Sequence, residues 1–188
     1  MVVIFGLMAT GKTTLARALG QALEWPVVES DQVRKTLAGL KPTTRATEAF
    51  GQGIYAADFS TRTYEEMRRL AEAHLAAGSS VILDGSYKRA WERELVRQLA
   101  QEHQAATLFV YCDCPPAEAR RRAGIRLADP QAVSDGRVEL FAAQIKDFDP
   151  LGPNDRPRLR LNTDRRIAVV LAELKSFVQG YLPKGTSS

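Results

Sequence analysis

The chain begins with a stretch whose residue types could hold a phosphate chain: Gly6-Leu7-Met8-Ala9-Thr10-Gly11-Lys12-Thr13, followed by Thr14. Glycines at both ends of this loop let the backbone curl with its N–H groups turned inward. A helix starting at its end adds a partial positive charge. Lys12 supplies a cation that can reach the β- and γ-phosphates, and Thr13 a hydroxyl suited to Mg2+. Gly6, Met8, Ala9, Thr10, Gly11, Lys12, Thr13 and Thr14 are therefore the expected contacts of a nucleoside triphosphate. The alternative is a glycine-rich turn without a ligand. An apolar strand before the loop and an amphipathic helix after it favour the nucleotide.

The fate of the γ-phosphate depends on what faces that loop. Val81-Ile82-Leu83-Asp84 places a carboxylate at a strand end, suited to the magnesium sphere, but Gly85 follows it, so no neighbouring acid can polarise water. Neither of the two asparagines, Asn154 and Asn162, is followed by lysine, so the usual guanine-reading motif is missing. Both features favour transfer to another acceptor over hydrolysis. Glu29-Ser30-Asp31 ends a second strand, and strand ends in an open parallel sheet face the ligand crevice. Asp31 there could take the proton of an attacking hydroxyl. Arg34, one turn later, would meet an anionic part of the acceptor. Asp31 could instead cap the helix that starts there, and Arg34 could be solvated. Arg122 and Arg126, four apart in a basic helix with Arg120 and Arg121, are candidates to close over the γ-phosphate. The bland reading of that run is a solvated face.

Strands and helices must alternate to position these groups. Apolar runs at 2–5, 25–30, 79–86, 106–113 and 158–162 read as strands. Helical patterns cover 12–23, 31–40, 61–77, 89–103 and 164–181, with one more from a Ser134 cap to about Phe148. In the 61–77 helix Tyr64, Met67, Leu70, Ala71 and Leu75 share a face; in the 89–103 helix Trp91, Leu95, Val96 and Leu99 are expected inward. Short apolar strands, each followed by a helix, mean βαβ units and an α/β fold with a parallel sheet covered on both faces. The expected organisation is one domain over 1–182. Within it, an irregular segment at 39–59, carrying Arg45 and Tyr55, covers the acceptor, and 115–133 forms a lid. Residues 183–188 are a flexible tail.

The 188 residues carry a net charge of +4, mildly basic, which suits phosphate handling without deciding for it. Cys112 and Cys114 are placed for neither a structural disulfide nor a full zinc site. With no bilayer-length apolar run and no signal peptide, the expected location is the cytoplasm, without membrane association.

The loop GLMATGKTT, the stretch ESDQVRKTLAGL with Asp31 and Arg34, VILDGSY, the arginines Arg122 and Arg126, and SDGRVELFAAQ together resemble the small P-loop kinases often labelled predicted kinases or AAA-type ATP-binding proteins. These are relatives of the kinase half of phage polynucleotide 5′-kinase, of gluconate kinases, chloramphenicol phosphotransferase and zeta toxins. The resemblance spans nearly the whole chain. It implies a P-loop NTPase fold of five parallel strands in the order 2-3-1-4-5, ATP with Mg2+, and the Asp31 carboxylate as base. It also implies association with an aminoglycoside-phosphotransferase-like domain, which similar sequences carry ahead of this one and which would here be missing or separate. The leading expectation is a kinase for a hydroxyl of a small-molecule acceptor, with Arg34, Arg45 and Tyr55 on the acceptor side. A kinase for nucleic acid 5′ ends and an ATP-binding regulatory module with little transferase activity are the alternatives. The 39–59 segment lacks the aromatic–basic interleaving that would suit a single strand.

Overall fold

The computed structural model describes residues 1–41, 44, 53–128 and 144–182, and of residues 126–128 the backbone alone. Five strands form one sheet: β1 (Val2–Phe5), β2 (Val27–Glu29), β3 (Ile82–Asp84), β4 (Leu108–Asp113) and β5 (Arg158–Asn162). All pairs are parallel and the order is β2-β3-β1-β4-β5, as the resemblance implied. The helices are α1 (Lys12–Leu23), α2 (Ser30–Leu37), α3 (Ala57–Ala76), α4 (Ala90–Glu102), α5 (Pro116–Ala128) and α6 (Ile167–Gln179), with a short 3-10 turn at Gly53–Tyr55.

The central strands are apolar along their length because both faces are covered. Val3, Phe5, Leu83 and Phe109 pack with Tyr64, Met67, Ala71 and Val96 of α3 and α4. Val2, Ile4, Ile82 and Val110 pack with Leu15, Leu19, Val170 and Leu174 of α1 and α6. Alternate residues of each strand thus serve opposite faces.

The elements differ from the sequence expectations in instructive places. β2 has three residues, not six, because polar Ser30 already turns into α2. Asp31 lies inside the first turn of α2, where Glu29 is the N-cap residue, so Asp31 does not cap the helix. α3 starts at Ala57, four residues early, and α6 starts at Ile167, after the turn that closes β5. Trp91 is not inward: it is 46% exposed, while Glu92 and Arg93 of the same turn are buried. Arg93 donates to Asp155 at 2.7 Å and to the Tyr87 carbonyl at 2.9 Å, and its guanidinium lies over the Phe5 and Phe148 rings. A charge held by ion pair, carbonyl and ring faces can take an inward position that apolar periodicity assigns to tryptophan. Most of the helix expected from Ser134, Arg45 with the rest of 45–52 and residues 42 and 43 of the 39–59 segment, the end of the 115–133 lid and the 183–188 tail lie outside the described residues. No described helix is long and apolar enough to cross a membrane.

Candidate active site

The Gly6–Thr13 loop leaves β1 at the carboxyl end of the sheet and closes into α1. Gly6 has φ of 139°, and a Cβ there would collide with the Cys112 carbonyl of β4, so the loop leaves the strand where only glycine fits. Gly11 caps α1 in the left-handed region at φ 84°, and its carbonyl accepts the first helical hydrogen bond, from Leu15 N–H at 3.0 Å. Thr10 and Lys12 fold back on the loop: the Thr10 hydroxyl donates to the Leu7 carbonyl at 2.8 Å and the Lys12 ammonium to the same oxygen at 2.7 Å. Ala9 and Thr10 are buried, Met8 and Gly11 are half-buried, and Thr14 faces outward.

The first turns of α1 also meet the ends of β3 and β2. The Thr13 hydroxyl donates to Asp84 Oδ2 at 2.5 Å. Four residues on, Arg17 binds Glu29 through two parallel bonds of 2.7 and 2.8 Å. Glu29 and Asp84 are register partners on neighbouring strands, so one face of α1 reads a pair of carboxylates. Asp84 is buried, and its Oδ1 has no hydrogen-bond partner among the described residues. Burial pushes the Asp84 carboxyl up to about 6, with Lys12 and the Thr13 hydrogen bond pulling against it and Asp31 and Glu29 adding to it. Half-buried Asp31 is thus brought within electrostatic reach of Asp84.

The turn after β3 is held from α3. The Tyr64 hydroxyl accepts from the Ser86 and Tyr87 N–H groups at 3.1 and 3.2 Å and shares a 2.8 Å bond with the Ser86 hydroxyl. This grip keeps Tyr87 in the left-handed region, at φ 42°, directly after the strand that carries Asp84.

Arg122 reaches the loop from α5. Its Nε donates to Glu118 at 2.6 Å and its Nη2 to the Thr163 carbonyl at 3.0 Å, and a Cβ built on Gly11 would lie 3.6 Å from its Nη1. Arg121 and Arg122 together hold the Glu118 carboxyl down to about 2. Arg126 follows Arg122 by four residues on the same helix. The Thr163 hydroxyl donates to the Thr10 carbonyl at 2.7 Å, tying the end of β5 to the loop.

Arg34 is buried rather than solvated. It donates to the Ile54 carbonyl at 2.7 Å and to the Ser60 hydroxyl at 3.2 Å, and its guanidinium sits 5.0 Å from the Tyr55 ring centre. The structure therefore joins Arg34 to Tyr55. Sequence reasoning missed Arg17, Glu29, Tyr64 and Gln144. For Arg17 the four-residue step from Thr13 was a usable signal. Cys112 lies beneath the loop, and burial raises its thiol to about 12, which makes it inert packing.

This site sits on a chain of known kind. The family described as an AAA domain (AAA_33) matches residues 1–151, and the chain belongs to that family. An uncharacterized protein of Mycobacterium tuberculosis is 30% identical over 162 residues, covering 83% of this chain; the chain spans about a third (32%) of that relative's length. A sugar kinase from Janibacter sp. HTCC2649 superimposes with a TM-score of 0.68 at 17% identity, covering 95% of this chain and 93% of its own. The APS kinase CysC of Mycobacterium tuberculosis, solved with AMPPNP and APS, gives 0.64 at 19% identity, covering 95% and 96%. These likenesses define the P-loop fold of the chain.

Proposed function

We propose that this protein is an ATP-dependent kinase that transfers the γ-phosphate to a hydroxyl of a small-molecule acceptor. The observation that carries the reading is the buried Asp84 carboxylate, bound to the Thr13 hydroxyl on one oxygen and, among the described residues, without a hydrogen-bond partner on the other, at the mouth of the Gly6–Thr13 loop. A carboxylate raised by burial in this way is costly to the free protein and makes sense beside a cation.

Hydroxyl and carboxylate oxygens are the donors Mg2+ takes, so Thr13 and Asp84 fit the ion that accompanies ATP. When bound, Mg2+ neutralises charge on the phosphate oxygens. The loop amides and the α1 N-terminus bind the phosphates, and Lys12 leaves the Leu7 carbonyl for the β- and γ-oxygens. Asp31 takes the proton from the acceptor hydroxyl. That oxygen bonds to the γ-phosphorus while the bond to the β–γ bridging oxygen breaks, and ADP leaves with the electron pair. Arg122 against Gly11, with Arg126 one turn on, meets the charge gathered on the transferring group. Arg34, Arg45 and Tyr55 belong to the acceptor side. The small-molecule acceptors named for the sugar kinase and the APS kinase support the same class here.

The test is incubation with labelled ATP and pooled sugars, nucleosides, aminoglycosides and 5′-hydroxyl oligonucleotides. One acceptor class should gain label in step with ADP. Asp31→Asn should keep ATP affinity within about three-fold and lower transfer by on the order of 10²-fold or more. Hydrolysis without transfer to any pool, or full transfer by the Asn variant, would refute the reading.

A further inference from the structure

One residue far along the chain grips the loop itself. Gln144 is buried, 9% exposed, and its Oε1 accepts from the Met8 N–H at 2.6 Å across 136 positions of sequence. An N–H can pair only with the oxygen end of an amide, which fixes how the Gln144 side chain is turned. The same peptide unit is held from its other side, since the Leu7 carbonyl accepts both Lys12 at 2.7 Å and Thr10 at 2.8 Å. In a trans peptide the C=O and N–H point in opposite directions. The Lys12 ammonium and the Gln144 amide therefore lie on opposite sides of the Leu7–Met8 peptide. Gln144 does not take the place of a phosphate beside Lys12; it holds the peptide plane from behind.

The grip has an anchor. Three and five residues after Gln144, Asp147 and Asp149 are fastened to the connection between β3 and α4. Asp147 pairs with Lys88 at 2.5 Å and with Arg89. Asp149 accepts from Ala90 N–H at 2.9 Å and from Arg89 at 3.2 Å, and its own N–H donates to the Lys88 carbonyl at 2.8 Å. Arg93 adds a bond to the Pro150 carbonyl at 3.0 Å. The strap from Gln144 to Pro150 thus connects the strand that carries Asp84 to the peptide that carries the resting contact of Lys12.

We infer that Gln144 is a positioning residue for Lys12: by pinning the Met8 N–H it keeps the Leu7 carbonyl aimed at the ammonium and the loop in its phosphate-accepting curve. With the pin removed, the Leu7–Met8 peptide can rotate, and an N–H facing Lys12 would repel it. The inference rests on the nucleotide reading above but can be read out without it. Gln144→Met keeps the bulk and removes the acceptor; Gln144→Glu keeps an acceptor. In the nucleotide-free protein, hydrogen exchange at the Met8 amide should speed up about three- to ten-fold in Gln144→Met, the scale of one neutral hydrogen bond, and recover in Gln144→Glu. AMPPNP affinity by calorimetry should weaken by about the same factor in Gln144→Met, with thermal stability nearly unchanged. Unchanged Met8 exchange would overturn the inference. So would exchange rising across the whole sheet in step with lost thermal stability, because that marks Gln144 as packing alone. Should the native protein bind no AMPPNP, the kinase reading falls, and Met8 exchange still decides the pin.

Discussion

The two sides of the crevice are built differently. On the phosphate side each group sits at a strand end, in the loop or in the first turns of α1: Thr13 meets Asp84, Arg17 meets Glu29, and the Thr163 hydroxyl locks the Thr10 carbonyl. Their spacing follows from sheet register and helix pitch. On the side proposed for the acceptor, Arg34 is engaged with the Ile54 carbonyl, Ser60 and the Tyr55 ring, all from the segment 53–60 that runs into α3. Its geometry follows from how that segment lies on α2. A fold can therefore keep its phosphate machinery constant and change its acceptor by altering contacts that no strand dictates.

The largest effect should come at Arg122, which reaches the phosphate loop from α5. Arg122→Ala should lower kcat by on the order of 10²-fold, because the charge it meets is largest in the transition state. Steady-state kinetics with the labelled acceptor check this. A change confined to the KM for ATP would make Arg122 an ordinary nucleotide contact.

Asp84 gives a smaller effect with an unusual sign. Its carboxyl is raised from 3.8 to about 6 in the folded protein. Between about pH 4 and pH 6 the folded state therefore holds more protons than the unfolded one, and stability falls as pH rises through that window. Above it, the buried charge costs the free protein on the order of 3 kcal/mol. Asp84→Asn removes the charge. It should raise the stability of the ligand-free protein at pH 7 by about 2 kcal/mol, flatten the slope between pH 4 and 6, and cost activity. Chemical denaturation at several pH values checks it. Destabilisation at pH 7 would mean that the ionised carboxylate is already well compensated in the free protein.

What could be read in the sequence follows the same division. The phosphate loop was legible because its residues are consecutive and its flanks are a strand and an amphipathic helix. The neighbourhood of Asp84 and Asp31 was legible because Asp84 ends one apolar strand and Asp31 comes two residues after another, and strand ends in a parallel sheet share one edge. Periodicity failed where polar side chains act as core. It turned Trp91 inward, whereas Arg93 occupies the interior because Asp155, 62 positions away, neutralises it. Gln144 closes one of the resembling stretches, SDGRVELFAAQ, but its role was not legible for the same reason: its partner is a backbone N–H 136 positions away. Arg34 was read as free to meet an acceptor because its one-turn spacing from Asp31 is visible, while the carbonyl it binds is not.

Arg34 supplies the smallest effect and tests the acceptor side directly. The guanidinium makes a charge-assisted bond to the Ile54 carbonyl, and its buried Nε has no partner among the described residues. Arg34→Gln should cost about 1–2 kcal/mol of stability, the net worth of a hydrogen bond from a charged group less the burial cost that the orphaned nitrogen already imposes. That loss, measured by denaturation without ligand, should appear whatever the acceptor is. The KM of the acceptor separates the two roles. If Arg34 also faces an anionic group on the acceptor, KM should rise about ten-fold or more with such acceptors and stay level with neutral ones. If it only fastens the Gly53–Ser60 segment to α2, every acceptor should weaken by a similar small factor, since the segment loosens equally for all. A variant with native stability and native KM would remove Arg34 from both roles and leave the acceptor side to Asp31 and Tyr55.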